Sequence, residues 1–402
     1  MNKLILIAIS VFYIVAAGNK NNVGPSHKTN KAYTANHLLN DQDKDKVQGQ
    51  RIKEISISEL HNIFKAENTY YKISPGTITS RVTINGAVNC TFDFQNGVTF
   101  KCSDISISLK GKIKGLVLKN FKTEDCKLYQ ISVEGWSDVH YNPNDSDTYI
   151  DDLQLINIHS NNAADHAYLF NAPGGFDKQG LRGVIRGFVM KNCSFKNSPS
   201  GSTVCYLGSG ENYLVQENVV DNINSANNNH NGIFWLCGNG SFIGNKVTNS
   251  QGQMARFWLY SHKGRQSVRV HDNIDYNIVK YSAFELQANS GILGSDSFLP
   301  ADAFVYNNTA VSLGTHVTAP IIDAQMLDLY VTGGNLTYYN NLGANLYKAN
   351  GYPITDMINY EGGERIVKNT NNIYKARPNM VVTDLLNFKS KIPGVGANLN
   401  KK

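Results

Sequence analysis

Cysteine pairs at metal-binding spacing are missing from this sequence. Its six cysteines, Cys90, Cys102, Cys126, Cys193, Cys205 and Cys237, never occur as CxxC, which removes the usual zinc patterns. Long apolar runs are missing too. The run from Leu4 to Val15 is too short to cross a bilayer, and nothing longer follows. No cysteine follows that run, so a lipoprotein anchor is not expected. The basic residues are not gathered on a nucleic-acid-binding module, which sets aside a nucleic-acid partner. Charge is sparse, at 17% of residues. In its place stand 34 Gly, 21 Tyr, abundant Asn and 41% hydrophobic residues, a balance that favours strands joined by tight turns. At 402 residues the chain can bury a large core.

Met1–Gly18 reads as a cleaved secretory signal. Lys3 supplies the positive start, the apolar run follows, and Ala16-Ala17-Gly18 offers small residues for cleavage. A secreted or periplasmic protein is therefore expected. Export permits disulfides, and buried, stacked thiols fit the six cysteines equally well. Residues 19–50 are polar and read as a flexible leader. Ser56-Ile57-Ser58-Glu59 then opens a short helical pattern through Ala66, with Leu60, Ile63 and Phe64 on one face. It begins a single domain over residues 51–402. The formal charge of +6 suits either a mildly basic surface or attraction for an acidic polymer.

From residue 118 the chain carries a loose internal repeat: an apolar pair, a polar residue, Asn, then an apolar or small residue. It is seen in Leu118-Lys119-Asn120-Phe121, Leu155-Ile156-Asn157-Ile158, Met190-Lys191-Asn192-Cys193 and Val270-His271-Asp272-Asn273-Ile274. The spacing is that of one three-strand solenoid coil, and the leucine pattern of leucine-rich repeats is absent. Asn at a coil corner tolerates the left-handed conformation, and its amide can stack and bond to the next coil. A second set of segments can be laid over one another: Ala167-Tyr168-Leu169, Cys205-Tyr206-Leu207, Phe234-Trp235-Leu236, Phe257-Trp258-Leu259 and Phe284-Glu285-Leu286. Side chains alternate along a strand, so this alignment places Tyr168, Tyr206, Trp235, Trp258 and Glu285 in one outward row.

On these features the chain resembles the right-handed parallel β-helix superfamily of pectate-lyase-like proteins over roughly residues 55–400. The helix and Ile73–Ile78 entry, the Asn-bearing coils and the Ile392-Pro393-Gly394-Val395-Gly396-Ala397 tail carry the likeness. The resemblance implies an all-β, right-handed parallel β-helix with a short N-terminal capping helix, and a carbohydrate-active function. Members include polysaccharide lyases, glycoside hydrolases, uronate epimerases and non-catalytic adhesins. The paired Asp with Gly-His-Gly of polygalacturonases is absent, as is the Asp-Pro-His-Glu of mannuronan epimerases.

Two features point to chemistry. The aromatic row of Tyr168, Tyr206, Trp235 and Trp258 can stack on sugar faces or pack under a loop. Beside it lies the basic segment Ser261-His262-Lys263-Gly264-Arg265-Gln266. A lyase acting on a uronate polymer needs a cation for the carboxylate, a base for the adjacent proton and an acid for the leaving oxygen. Arg265 or Arg256 can bind the carboxylate, Lys263 or His262 can be the base, and Tyr260 the acid. Arg182, His166 and His230 can line the same groove. Hydrolysis would instead need two carboxylates facing one cleft. Glu285 is the one acid in the aligned row, and Asp165, Glu211, Asp272 and Asp275 are candidate partners. The expectation is thus a monomeric, secreted polysaccharide lyase that β-eliminates an acidic polysaccharide such as alginate or pectate. A hydrolase or epimerase, and a non-catalytic carbohydrate binder, are the alternatives. No cofactor is required by the sequence; calcium, used by some lyases of this architecture, is left open.

Overall fold

The structure is a computed structural model. It describes residues 49–127, 129–133, 150–163, 168–170, 176–177, 180–181, 185–227, 231–261, 264–288, 299–314, 324–331, 333–347, 357–360, 366–382 and 390–398.

The chain winds as a right-handed parallel β-helix. Through the described central coils three strands recur per turn, and equivalent strands of neighbouring coils pair in parallel. Gln253–Trp258, Phe284–Ala288 and Leu327–Val331 belong to a first face. Ser267–His271, Asp302–Tyr306 and Asn335–Tyr339 belong to a second. Ile274–Ile278, Thr309–Leu313 and Leu342–Leu346 belong to a third. Alternation sends every other residue into the lumen, where Phe242, Phe257, Phe284, Val270 and Val305 join one continuous core. Among the described residues no helix is long and apolar enough to cross a membrane.

The corner between the second and third faces needs two adjacent residues with different jobs. The first takes positive φ: Asn192, Glu217, Gly244, Asp272, Asn307, Asn340 and Asn371 all lie between 53° and 64°. The second is the stacking residue. Asn218, Asn245, Asn273, Asn308 and Asn341 each donate from Nδ2 to the Oδ1 of the next asparagine, at 2.9 to 3.2 Å. Each also donates to a backbone carbonyl, as Asn273 does to Phe242 at 3.0 Å. Asn218, Asn245, Asn273, Asn308 and Asn341 are fully buried, so the ladder satisfies amides that burial would otherwise leave costly. One asparagine was expected to fill both roles; the two are split. Asn192 is the left-handed residue of its coil, and Cys193 stands in the ladder position, its backbone N–H donating to Asn218 Oδ1 at 2.9 Å.

The N-terminal helix is shorter than expected. It spans only Ile57–Leu60, closed by a capping box between Ser56 and Glu59. Phe64 does not lie on its buried face: it is exposed and starts the strand Phe64–Ile73. The six cysteines are free and buried. At the other end, Val381, Val382, Val395 and Ala397 cover Ile274, Val311, Leu342 and Ala344 on the outer side of the third face. That segment is tied down by Gly396 N–H to the Asn340 carbonyl at 2.8 Å and Ala397 N–H to Thr309 Oγ1 at 2.9 Å.

One lumen residue breaks the apolar pattern. Asp275 sits in register between Val247 and Ala310. It is 1% exposed, and neither carboxyl oxygen has a hydrogen-bond partner among the described residues. Burial pushes its pKa well above the usual carboxylate range, which keeps it neutral. Asp275 points into the lumen from the third face, whereas Glu285 stands on the first face, so the two do not form a catalytic pair.

Candidate functional site on the first face

The outward row on the first face differs from the expected alignment at two places. Tyr206 is opposite Trp235, as expected, but Trp235 is opposite Arg256 rather than Trp258. Trp258 is opposite Cys237. The slip is two residues, which keeps every side chain on its own face, so hydrophobic alternation cannot detect it. Further back, Tyr206 is opposite Leu169, and Tyr168 is opposite Cys205. That slip is one residue and removes Tyr168 from the row's register.

The resulting row runs Tyr206, Trp235, Arg256, Glu285, Asp328. Beside it runs Cys237, Trp258, Gln287, Tyr330. The aromatic wall survives the register change: ring centroids of Tyr206 and Trp235 are 5.0 Å apart at 81°, and those of Trp235 and Trp258 are 5.0 Å apart at 78°. All three rings are half-buried. Burial raises the Tyr206 phenol well above its ordinary pKa. The indole Nε1–H of Trp235 has no partner among the described residues.

Arg256 is the centre of the row. Its guanidinium lies 4.6 Å from the Trp235 ring centre. Its Nε and Nη2 are each 2.8 Å from Glu285 Oε1. Gln253 Nε2 donates to Glu285 Oε2 at 2.9 Å, and Gln287 Nε2 donates to Oε1. Gly232 makes the arrangement fit, since a Cβ there would lie 2.7 Å from Arg256 Cγ. Glu285 is 2% exposed, so its charge is held by these donors rather than by water. The next coil places Asp328 directly in register with Glu285, and it too is buried, at 1%. Strands pair about 4.8 Å apart, so two carboxyl side chains leave one wall from adjacent coils. Asp328 was missed in the sequence because its coil carries insertions that hide the alignment.

The other expected site residues fare differently. His262, Lys263, His166, His230, Arg182 and Asp165 lie outside the described residues, and the side chain of Tyr168 does too. Tyr260 is fully buried. Arg265 is held by Asp302, with Nε 2.9 Å from both carboxylate oxygens. Glu211 is paired with Arg186 at 3.0 Å, and Asp272 with His271 at 2.8 Å. Among the described residues, no three His, Cys, Asp or Glu side chains gather as a metal site.

No family model matches this sequence. No curated protein matches it either. Among solved structures, the chain aligns with the tailspike protein gp49 from Acinetobacter baumannii bacteriophage Fri1, a capsular polysaccharide depolymerase. The alignment covers 82% of this chain at 10% identity, with a TM-score of 0.40. This chain spans 63% of the length of that tailspike chain.

Proposed function

We propose that the protein is a carbohydrate-active β-helix that hydrolyses glycosidic bonds of a polysaccharide bound along the first face. The observation that carries this reading is the in-register placement of Glu285 and Asp328 beside an aromatic wall. Glycoside hydrolysis needs one carboxylate and one carboxylic acid at the scissile bond. Arg256, Gln253 and Gln287 all contact Glu285, so Glu285 takes the role of the charged partner, and Asp328 that of the proton donor. Placement on adjacent coils, about 4.8 Å apart along the backbone, leads us to assign the retaining arrangement, in which the carboxyls stand closer together than in inverting enzymes. Glu285 is then the nucleophile. Trp235 and Trp258 offer ring surface for sugar packing, and the indole N–H of Trp235 is an unused donor. Because both acids are nearly closed to solvent, a sugar reaches them only as the side chains covering them give way.

The elimination expected from the sequence has less support. Both arginines assigned to a uronate carboxylate already hold acidic side chains, Arg256 with Glu285 and Arg265 with Asp302. The test is a screen of neutral and acidic polysaccharides for released reducing ends, repeated with Glu285→Gln and Asp328→Asn. A loss on the order of 10³ in rate for each variant supports the pair. Full activity in both variants removes it. Binding without cleavage, unchanged by either variant, points to the non-catalytic reading.

A further inference from the structure

We propose a second reactive centre, on the outer side of the third face, where Ser194, His159 and Asn157 form a hydrogen-bonded chain set up for nucleophilic attack on an ester. Register brings it together. His159 lies opposite Ser194 on the following coil and opposite Lys122 on the preceding one. All three members of the chain are half-buried on the outer surface. His159 Nδ1 is 2.8 Å from Ser194 Oγ, and Nε2 is 3.0 Å from Asn157 Oδ1.

Neighbouring amides fix the direction of these bonds. Asn157 Nδ2 donates to Asn120 Oδ1 at 2.7 Å and to Asn96 Oδ1 at 3.1 Å. Its oxygen is therefore the atom that faces His159, and an amide oxygen only accepts. Nε2 must carry the ring hydrogen. In the neutral ring Nδ1 is then the bare nitrogen, and Ser194 Oγ–H donates to it. This is the order of nucleophile, base and orienting group that nucleophilic catalysis needs, with Nδ1 rather than Nε2 facing the serine. Burial, with the positive charges of Lys122 and Lys196 nearby, lowers the pKa of His159 below its ordinary value. The ring is thus neutral at pH 7 and able to accept the proton.

The chemistry is acyl transfer. Ser194 Oγ attacks the ester carbonyl carbon as its proton passes to His159 Nδ1. The ester C–O bond breaks, and the leaving alcohol oxygen takes that proton. Water then attacks the acyl-serine by the same route, releasing a carboxylic acid and restoring Ser194. The centre sits on an open sheet face, so the substrate class is an O-acyl ester carried on an extended chain. The ammonium groups of Lys122 and Lys196 favour an anionic chain.

The test uses the full chain and two probes, a fluorophosphonate and p-nitrophenyl acetate. The expected result is one covalent adduct, mapped to Ser194 by peptide mass spectrometry and absent from Ser194→Ala. His159→Gln should slow labelling on the order of 10²-fold. Asn157→Asp keeps the acceptor and adds a negative charge, so it should keep labelling while moving its pH midpoint upward. Circular dichroism of each variant, matched to wild type, separates lost chemistry from lost fold. No adduct on the folded wild type, or an adduct that persists in Ser194→Ala, overturns the proposal.

Discussion

Arg256 binds Glu285 through two nitrogens, each 2.8 Å from the same carboxylate oxygen, in a setting where only 13% of the arginine side chain and 2% of the glutamate side chain meet solvent. Breaking such a pair from one side leaves a buried charge with no counterion. Arg256→Met is therefore expected to cost about 3–5 kcal/mol of stability, read as a lower urea midpoint. The double variant Arg256→Met with Glu285→Leu should recover much of that loss. A single variant as stable as wild type would show that the pair is not closed from water.

Asp275 gives a pH dependence of opposite sense to that of a salt-bridged carboxylate. Its folded-state pKa is raised by burial, above the unfolded value of about 3.9. The folded state then binds more protons than the unfolded state once pH exceeds that value. Stability falls as pH rises from about 4 toward the folded pKa, by up to about 1.4 kcal/mol per pH unit. Asp275→Asn should be more stable than wild type at pH 7, and the difference should shrink as pH falls toward 4. Parallel stability–pH curves for the two proteins would contradict this.

Asn273 sits inside the amide ladder, donating to Asn308 at 2.9 Å and accepting from Asn245 at 3.2 Å. Asn273→Ala leaves buried polar groups unmatched on both sides and should cost about 1–3 kcal/mol. Thermal unfolding would show it. Asp272→Gly, at the adjacent left-handed corner, should by contrast be tolerated, because glycine adopts positive φ freely.

The six free thiols predict a chemical silence. Burial pushes the thiols of Cys193, Cys205 and Cys237 far above the range in which thiolate forms, Cys193 to about 12. An aromatic disulfide reagent should titrate none of the six in the native protein at pH 8 and all six in guanidinium chloride. Reducing agent should leave the melting temperature unchanged. A shift on reduction would mean that bridges form.

The coil architecture was legible because corner asparagines and alternating apolar residues mark each turn whatever its length. The register was harder. Trp258 was placed opposite Trp235 because a slip of two residues preserves the inward and outward sets, so composition cannot tell Arg256 from Trp258 at that position. The same ambiguity hid the site's main pair. Glu285 was visible, but Asp328 enters the row only after a longer coil, where no spacing rule applies. The relay of Ser194 and His159 left no motif, since its members meet across coils. Asp275 reads as an ordinary surface acid until the parity of Ile274 and Tyr276, packed on the outer side of the face, shows that it points inward.

Cleavage in water enriched in oxygen-18 tests the central claim most directly. Hydrolysis at Glu285 and Asp328 places one heavy oxygen on the single new reducing end that each cleavage creates and none on the new non-reducing end, visible by mass spectrometry. Products that form without the label and absorb in the ultraviolet as unsaturated uronates would contradict it and return the chemistry to elimination.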